Sequence, residues 1–327
     1  MRRREFIGLI SSCAAAWPLE SLAQKAPVRI GLLGSGAANS AASATQITAF
    51  KDGLRDNGLI DGRDYVLEAR FAAGNYERFP AMARELAQAR VSVIMANTIA
   101  SVRAAQSLNP PVPVVMLSIN DPVGTGLVAS LAKPGGHTTG MATLNEDLTS
   151  KLLEFQRAVI PGAKVIAALF NPANPTNLKF LEDLHGRVGA MGMSVLPTDL
   201  KPPDALVSLF AALAPRRPDT VQVIQDSATL DVMDRIAALA LAHRIPSFSN
   251  SSLFVEFGGL LAYGASRTKL HHRSAYFVKR ILEGVNPGDL PVEQPTQIEL
   301  WINMKTAKAL GIDMPTNLQQ LADQVIE

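Results

Sequence analysis

From Val28 onward, short β-branched apolar runs alternate with longer stretches whose apolar residues recur every three to four positions. Runs of the first kind read as strands of a parallel sheet, and the stretches between them as helices that cross its faces. The pattern predicts strands at 28–33, 65–70, 91–96 and 112–117, with helices at about 43–57, 78–89 and 99–108. After Met141 the plan restarts with a helix near 147–159. Strands at 164–170, 194–197, 220–224 and 245–248 follow, separated by helices at 176–191, 204–213 and 229–243.

Two successive blocks of one plan imply two similar lobes. The last third is less regular: a strand at 259–263, a long helix at 268–283, a Pro/Gly-rich link at 286–291 and a strand near 297–302. These elements are too few for a third domain and best complete the two sheets, which makes the chain cross between lobes more than once. The expected fold class is α/β, with two doubly wound parallel-sheet lobes joined by a multi-crossover hinge. Residues 27–141 and 261–292 are assigned to the first lobe, and 142–260 and 298–327 to the second.

In open parallel sheets, ligands bind beyond the carboxyl ends of the strands, where loops run into helix N-termini. In the first lobe those positions hold Gly34-Ser35-Gly36, Asn97-Thr98 and Ser118-Ile119-Asn120-Asp121-Pro122. In the second they hold Asn171-Pro172-Ala173-Asn174, Asp226-Ser227 and Ser249-Asn250-Ser251, with Tyr263-Gly264 after the later strand. Hydroxyls and amides dominate, and Arg, Lys and His are missing from these segments. Such groups, with backbone N–H groups at helix starts, hold a carboxylate without a cation, and Asp226 is the acid available to a ligand ammonium or hydroxyl. Each position also has an ordinary reading as a helix cap.

Catalytic patterns are poorly represented. Gly34-Ser35-Gly36-Ala37-Ala38-Asn39 resembles G-x-G-x-x-G, but Asn39 stands where the third glycine belongs and Asp52 lies inside the first predicted helix. The sequence holds no G-x-S-x-G and no H-E-x-x-H. His271 and His272 are adjacent on a predicted helix, so their side chains diverge by about 100° and form no i, i+4 metal pair. His137, His185 and His243 are dispersed, Arg216-Arg217 marks an exposed turn, and Trp301 reads as core. No catalytic residue, metal site or cofactor is expected.

The N-terminus combines Arg2-Arg3-Arg4, a short apolar middle and Ser21-Leu22-Ala23, the three parts of an export signal over residues 1–23. Arg3-Arg4-x-Phe6-Ile7 resembles a twin-arginine signal. The apolar run is too short and too broken for a membrane span, which needs about 20 apolar residues. Ile10-Ser11-Ser12-Cys13 leaves lipoprotein anchoring as an alternative. Cys13 is the single cysteine, so cleavage after Ala23 leaves a chain with no disulfide and no thiolate site. The chain has 31 Lys+Arg against 29 Asp+Glu, and near-neutrality gives no basic stripe for nucleic acid or membrane.

Longer motifs carry a family resemblance over essentially the whole chain. They include Phe50-x-x-Gly53-Leu54, Asp121-Pro122-Val123-x-x-Gly126-Leu127-Val128, Lys133-Pro134-Gly135-Gly136-x-x-Thr139-Gly140 and Asn171-Pro172-x-Asn174-Pro175. Phe254-Val255-Glu256-x-Gly258-Gly259-Leu260 and Ile302-Asn303-x-Lys305-Thr306-Ala307-x-Ala309-Leu310-Gly311 follow. With the basic N-terminus, the chain resembles the ABC transporter substrate-binding proteins of the tryptophan/tyrosine-binding type. The resemblance implies a type I periplasmic binding protein fold, and a monomer in the periplasm that captures a small polar ligand, amino acid or aromatic acid-like, and delivers it to permease subunits. It places the family's cleft positions at Ser35, Asn97, Thr98, Ser118, Asp121, Asn171, Asn174, Asp226 and Asn250. Asn97-Thr98 stands where relatives often have Gly-Thr, and Ser249-Asn250-Ser251 departs from the aromatic or acidic residues of many relatives. An exported NAD(P)-type oxidoreductase and a ligand sensor for a membrane receptor are the alternative readings.

Overall fold

The computed structural model describes residues 26–143, 145–172, 174–200 and 202–327, so the expected export signal at 1–23 lies outside the described residues. The chain begins with β1 (Val28–Gly34), α1 (Ala41–Asp56), β2 (Tyr65–Phe71), α2 (Phe79–Gln88), β3 (Val93–Ala96), α3 (Ile99–Gln106), β4 (Val114–Asn120) and β5 (Thr138–Thr143). Its five strands form an all-parallel sheet in the order β2-β1-β3-β4-β5.

A second body follows with α4 (Asn145–Val159), β6 (Val165–Phe170), α5 (Pro175–Ala190), β7 (Ser194–Asp199), α6 (Leu206–Leu213) and β8 (Thr220–Val223). It continues through α7 (Ser227–Leu230), α8 (Met233–Ala242), β9 (Ser247–Ser249), α9 (Ser252–Glu256) and β10 (Leu261–Gly264). The chain then returns to the first sheet as α10 (Arg267–Leu282). It crosses once more to end in β11 (Glu299–Asn303), α11 (Met304–Leu310), α12 (Thr316–Leu321) and β12 (Gln324–Ile326). The second sheet runs β12-β11-β10-β9-β8-β6-β7, parallel except for the β10–β11 pair.

The central strands are apolar on both sides because helices cover both faces of each sheet. In β1, Ile30 to Gly34 are all buried. On one face of the first sheet Ile30, Val93 and Val115 meet Phe50 of α1 and Leu270, Phe277 and Val278 of α10. Full burial of a side chain such as Phe277 contributes roughly 2–3 kcal/mol. Helix α1 starts where Ser40 accepts the Ser43 N–H at 3.1 Å. It lies close against α10: a Cβ added at Gly53 would stand 2.2 Å from the carbonyl oxygen of His272.

Several expectations are corrected. Strand β5 was not expected, and neither were α9, α11, α12 and β12. The helix expected at 229–243 is two helices, broken at Asp231-Val232, where Val232 leaves helical geometry with φ −130°. Strand membership keeps residues 142–143 with the first sheet and 261–264 with the second. The chain therefore changes sides after Thr143 and after Gly264, not at 141/142 and 260/261. Trp301, expected in the core, is half-buried in β11, where its Nε1–H donates to Glu299 Oε2 at 2.9 Å.

Candidate ligand-binding site

The carboxyl ends of the two sheets face each other, and side chains from one reach the other. Asp226, buried just beyond β8, is the centre of this contact. Asn171 Nδ2 donates to its Oδ1 at 2.8 Å, and Asn174 Nδ2 donates to its Oδ2 at 2.6 Å. From the first body, Tyr76 donates its hydroxyl to the same Oδ2 at 3.0 Å. Tyr76 is presented by a single 3-10 turn after β2, capped by Asn75, whose side chain accepts the Glu77 N–H at 3.1 Å. Asn174 is also the N-cap of α5, its Oδ1 accepting the Thr176 N–H at 3.0 Å. Asn174 thus combines the helix cap with a hydrogen bond to Asp226.

A second bridge joins the loop after β1 to the break between α7 and α8. The Ala37 N–H donates to Asp231 Oδ2 at 2.6 Å, and a Cβ at Gly36 would lie 2.6 Å from Asp231 Oδ1. Burial, the largest cause, and the neighbouring Asp226 push the Asp231 carboxyl above its ordinary range, while hydrogen bonds from Ser40 and Ala37 act against the shift. Gly36 of the G-x-G-like segment therefore makes room for a carboxylate of the opposite body, and the Ala37 amide is engaged with it, whereas Gly34 makes room for the Phe71 ring of its own sheet.

The remaining expected site residues divide into two groups. Ser35 is buried and its carbonyl accepts the Gly74 N–H at 2.8 Å; Asn97 has a buried Oδ1 with no hydrogen-bond partner. Asn250, beyond β9, is in the same condition, as is the hydroxyl of the adjacent Ser251. By contrast, Thr98 serves as N-cap of α3 in a reciprocal capping box with Ser101. Asp121 adopts φ 45° and its Oδ1 accepts the Gly124 N–H at 2.8 Å, which makes it a turn-forming residue. Ser118 lies within β4, beside a register shift between Met116 and Ile119, and not after the strand.

Besides Tyr76 and Asp231, three further polar contributors were not expected from the sequence. Arg267, at the start of α10, has a buried Nε without a partner; burial lowers its pKa to about 10, opposed by the charges of Asp226 and Tyr76. Gln225, beside Asp226, has an unpartnered buried Nε2. His271, one turn further along α10, is buried, with its Nδ1 2.8 Å from the Arg267 carbonyl and its Nε2 unpartnered. Burial and the nearby Arg267 charge bring its pKa down to about 3, so the imidazole is neutral. The cleft is thus not free of cationic side chains, as the strand-end segments alone suggested. Reading the segment after β2 as far as Tyr76, and the one after β10 three residues further, would have found Tyr76 and Arg267. Asp231 carries no local signal, because a helix break places it.

Among the described residues, no group of three or more His, Cys, Asp or Glu side chains is placed to hold a metal ion. No described helix is long and apolar enough to cross a membrane.

The chain resembles known proteins in sequence and in fold. A tyrosine-binding protein of Clostridioides difficile (strain R20291) is 26% identical over 263 residues, 80% of this chain and 75% of that protein. An ABC domain from Streptococcus pneumonia, crystallised with L-Trp, superposes with a TM-score of 0.81 at 23% identity, over 92% of this chain and 100% of that one. A ligand-free, open substrate binding protein from Clostridium difficile gives a TM-score of 0.62 at 24% identity, over 91% and 99%. Residues 39–326 match the family described as ABC transporter substrate binding protein, and with its two sheets and its polar cleft the chain belongs to that family.

Proposed function

We propose that the chain is the capture component of an ABC importer, exported to the periplasm, that binds an amino-acid-like zwitterion between its two bodies and closes on it. The observation that carries this reading is the set of buried polar atoms without partners at the strand ends. Asn97 Oδ1 comes from the first sheet, while Gln225 Nε2, Asn250 Oδ1 and Ser251 Oγ come from the second. Arg267 Nε and His271 Nε2 stand beside them on α10. Leaving such an atom unpaired costs about 1–3 kcal/mol, and folded proteins keep few of them. Donors and acceptors occur together here: Arg267, Gln225 and Ser251 suit a carboxylate, and Asn97, Asn250 and Asp226 suit an ammonium.

The two bridges support closure. Tyr76–Asp226 and Ala37–Asp231 exist only while the bodies are together, so a ligand touching both sides favours that arrangement. The closer superposition on the L-Trp complex than on the open, ligand-free relative, at nearly equal identity, supports a closed arrangement here. The relatives' tryptophan and tyrosine ligands support the amino-acid class. Capture needs no covalent chemistry. The engagement of the Ala37 amide with Asp231 counts against the dinucleotide reading.

Isothermal titration of the mature chain with the common amino acids and simple aromatic acids tests this, beside solution scattering with and without the best binder. Micromolar or tighter binding with a reduced radius of gyration is expected. Binding by none of these compounds would overturn the ligand class, and binding with unchanged scattering would overturn closure.

A further inference from the structure

The chain returns from the second body to the first through two buried residues, Ala265 and Ser266, which stand between the end of β10 and the start of α10. On the β10 side, Gly264 is paired in the ladder with Glu299, the first residue of β11. On the α10 side, Ser266 caps the helix by accepting the Lys269 N–H at 3.3 Å. Lys269 Nζ then reaches back to Glu299 Oε1 at 2.5 Å, so one ion pair spans the crossing.

The same ammonium lies 3.3 Å from Gln297 Oε1, in the last link between the bodies. That link is tied to the first body as far as Glu293, whose N–H donates to the Gly140 carbonyl and whose carboxylate accepts from Nε and Nη2 of Arg273. It enters the second sheet at Glu299. Lys269 therefore touches both segments by which the chain changes bodies after β10.

The Glu299 side chain is 8% exposed, and its second oxygen accepts the Trp301 Nε1–H at 2.9 Å. A carboxylate taken out of water is left uncompensated when its cation is removed, so this pair is harder to break than one between two exposed side chains. Only two residues of chain join the points from which the pair springs, so rotation of one body against the other changes its length little. The Tyr76–Asp226 contact, between residues 150 apart in the chain, has no such restraint.

We propose that Lys269 and Glu299 form a hinge clasp, which stays intact while the cleft contacts break and limits how far the two bodies part. The inference rests on the bodies moving as proposed above, and is independent of what the ligand is.

Solution scattering of the ligand-free chain beginning at Gln24 tests it. A compact chain of this length has a radius of gyration of roughly 19 Å, and Lys269→Met or Glu299→Gln is expected to raise the unaltered chain's value by about 1 Å. Lys269→Arg, which keeps a cation within reach, is expected to leave it unchanged. The double variant is expected to expand no further than either single one, because both remove the same interaction. Trp301 is the single tryptophan of that chain, and its quenching by acrylamide is expected to steepen in Lys269→Met. Unchanged far-ultraviolet circular dichroism separates this opening from unfolding. Unchanged radii in both single variants, or an expansion that Lys269→Arg shares or that adds in the double variant, overturn the clasp. If the variants expand while no amino acid titrated above compacts the unaltered chain, ligand-driven closure fails and the clasp stands.

Discussion

Tyr76 and Asp226, 150 residues apart in the chain, meet at 3.0 Å across the gap between the two sheets. Asp226 also gathers Asn171 and Asn174 from its own side, so the carboxylate joins three elements. Tyr76→Phe is expected to weaken ligand binding by about 1 kcal/mol, roughly fivefold, with little change in the melting temperature of the ligand-free protein. Asp226→Ala, which strands three donors, is expected to weaken binding of an amino-group ligand by about 2 kcal/mol or more and to lower stability as well. Calorimetry on both variants decides: an unchanged affinity in Asp226→Ala removes that residue from the site.

If the bodies close as proposed, Asp231 is expected to link closing to proton uptake. In the closed arrangement its carboxyl is held above the ordinary value of 3.8, chiefly by burial. With the bodies apart, the group returns to water and to its ordinary value. A group whose pKa is raised in one state binds protons more tightly there, so acidification through the window just above 3.8 favours closing. Ligand affinity is expected to rise modestly between pH 7 and pH 4.5 relative to Asp231→Asn, which has no such proton to take up. A parallel pH dependence in the two proteins would sink the linkage.

His271 acts in the opposite direction on stability. Its pKa falls from an ordinary 6.5 to about 3 on folding, so between those values the unfolded chain binds a proton that the native chain does not. Stability therefore declines as pH drops through that window, by up to about 1.4 kcal/mol per unit for this group. Denaturant unfolding at pH 7 and pH 5 is expected to show a smaller acid loss for His271→Leu, by roughly 2 kcal/mol. Equal losses would mean that the imidazole is not held neutral.

Gly53 marks the closest approach of α1 to α10. Gly53→Ala would drive a methyl carbon to 2.2 Å from the His272 carbonyl oxygen, a backbone atom that cannot rotate away. A loss of about 2 kcal/mol or more is expected, because neither helix can move without disturbing Phe50 and Phe277. A melting temperature equal to that of the unaltered chain would show that the helices separate freely.

The alternating plan was legible because buried parallel strands and amphipathic helices have different periods. Strand β5 was hidden for a physical reason. Thr138-Thr139-Gly140-Met141-Ala142-Thr143 has no apolar run, and its pairing depends on Gly140 at φ 127°, pressed against the backbone of Met116. The rule that ligands gather beyond strand ends picked out Asn97, Asn171, Asn174, Asp226 and Asn250 as candidates, and the structure brings them to the facing ends of the two sheets. The rule could not separate them from Thr98 and Asp121, whose side chains complete a helix cap and a turn. Tyr76, Asp231 and Arg267 enter the site through tertiary placement, which no local period encodes.

Helix α10 covers the first sheet yet is synthesised after the whole of β6 to β10. Until it emerges, the face bearing Ile30, Val93 and Val115 lacks half its cover, and the N-terminal body cannot mature on its own as successive domains usually do. The second sheet waits longer still, for β11 and β12. No single cut releases either body intact. The nascent chain therefore carries exposed apolar surface through most of its synthesis, and its two halves reach the native state together or not at all.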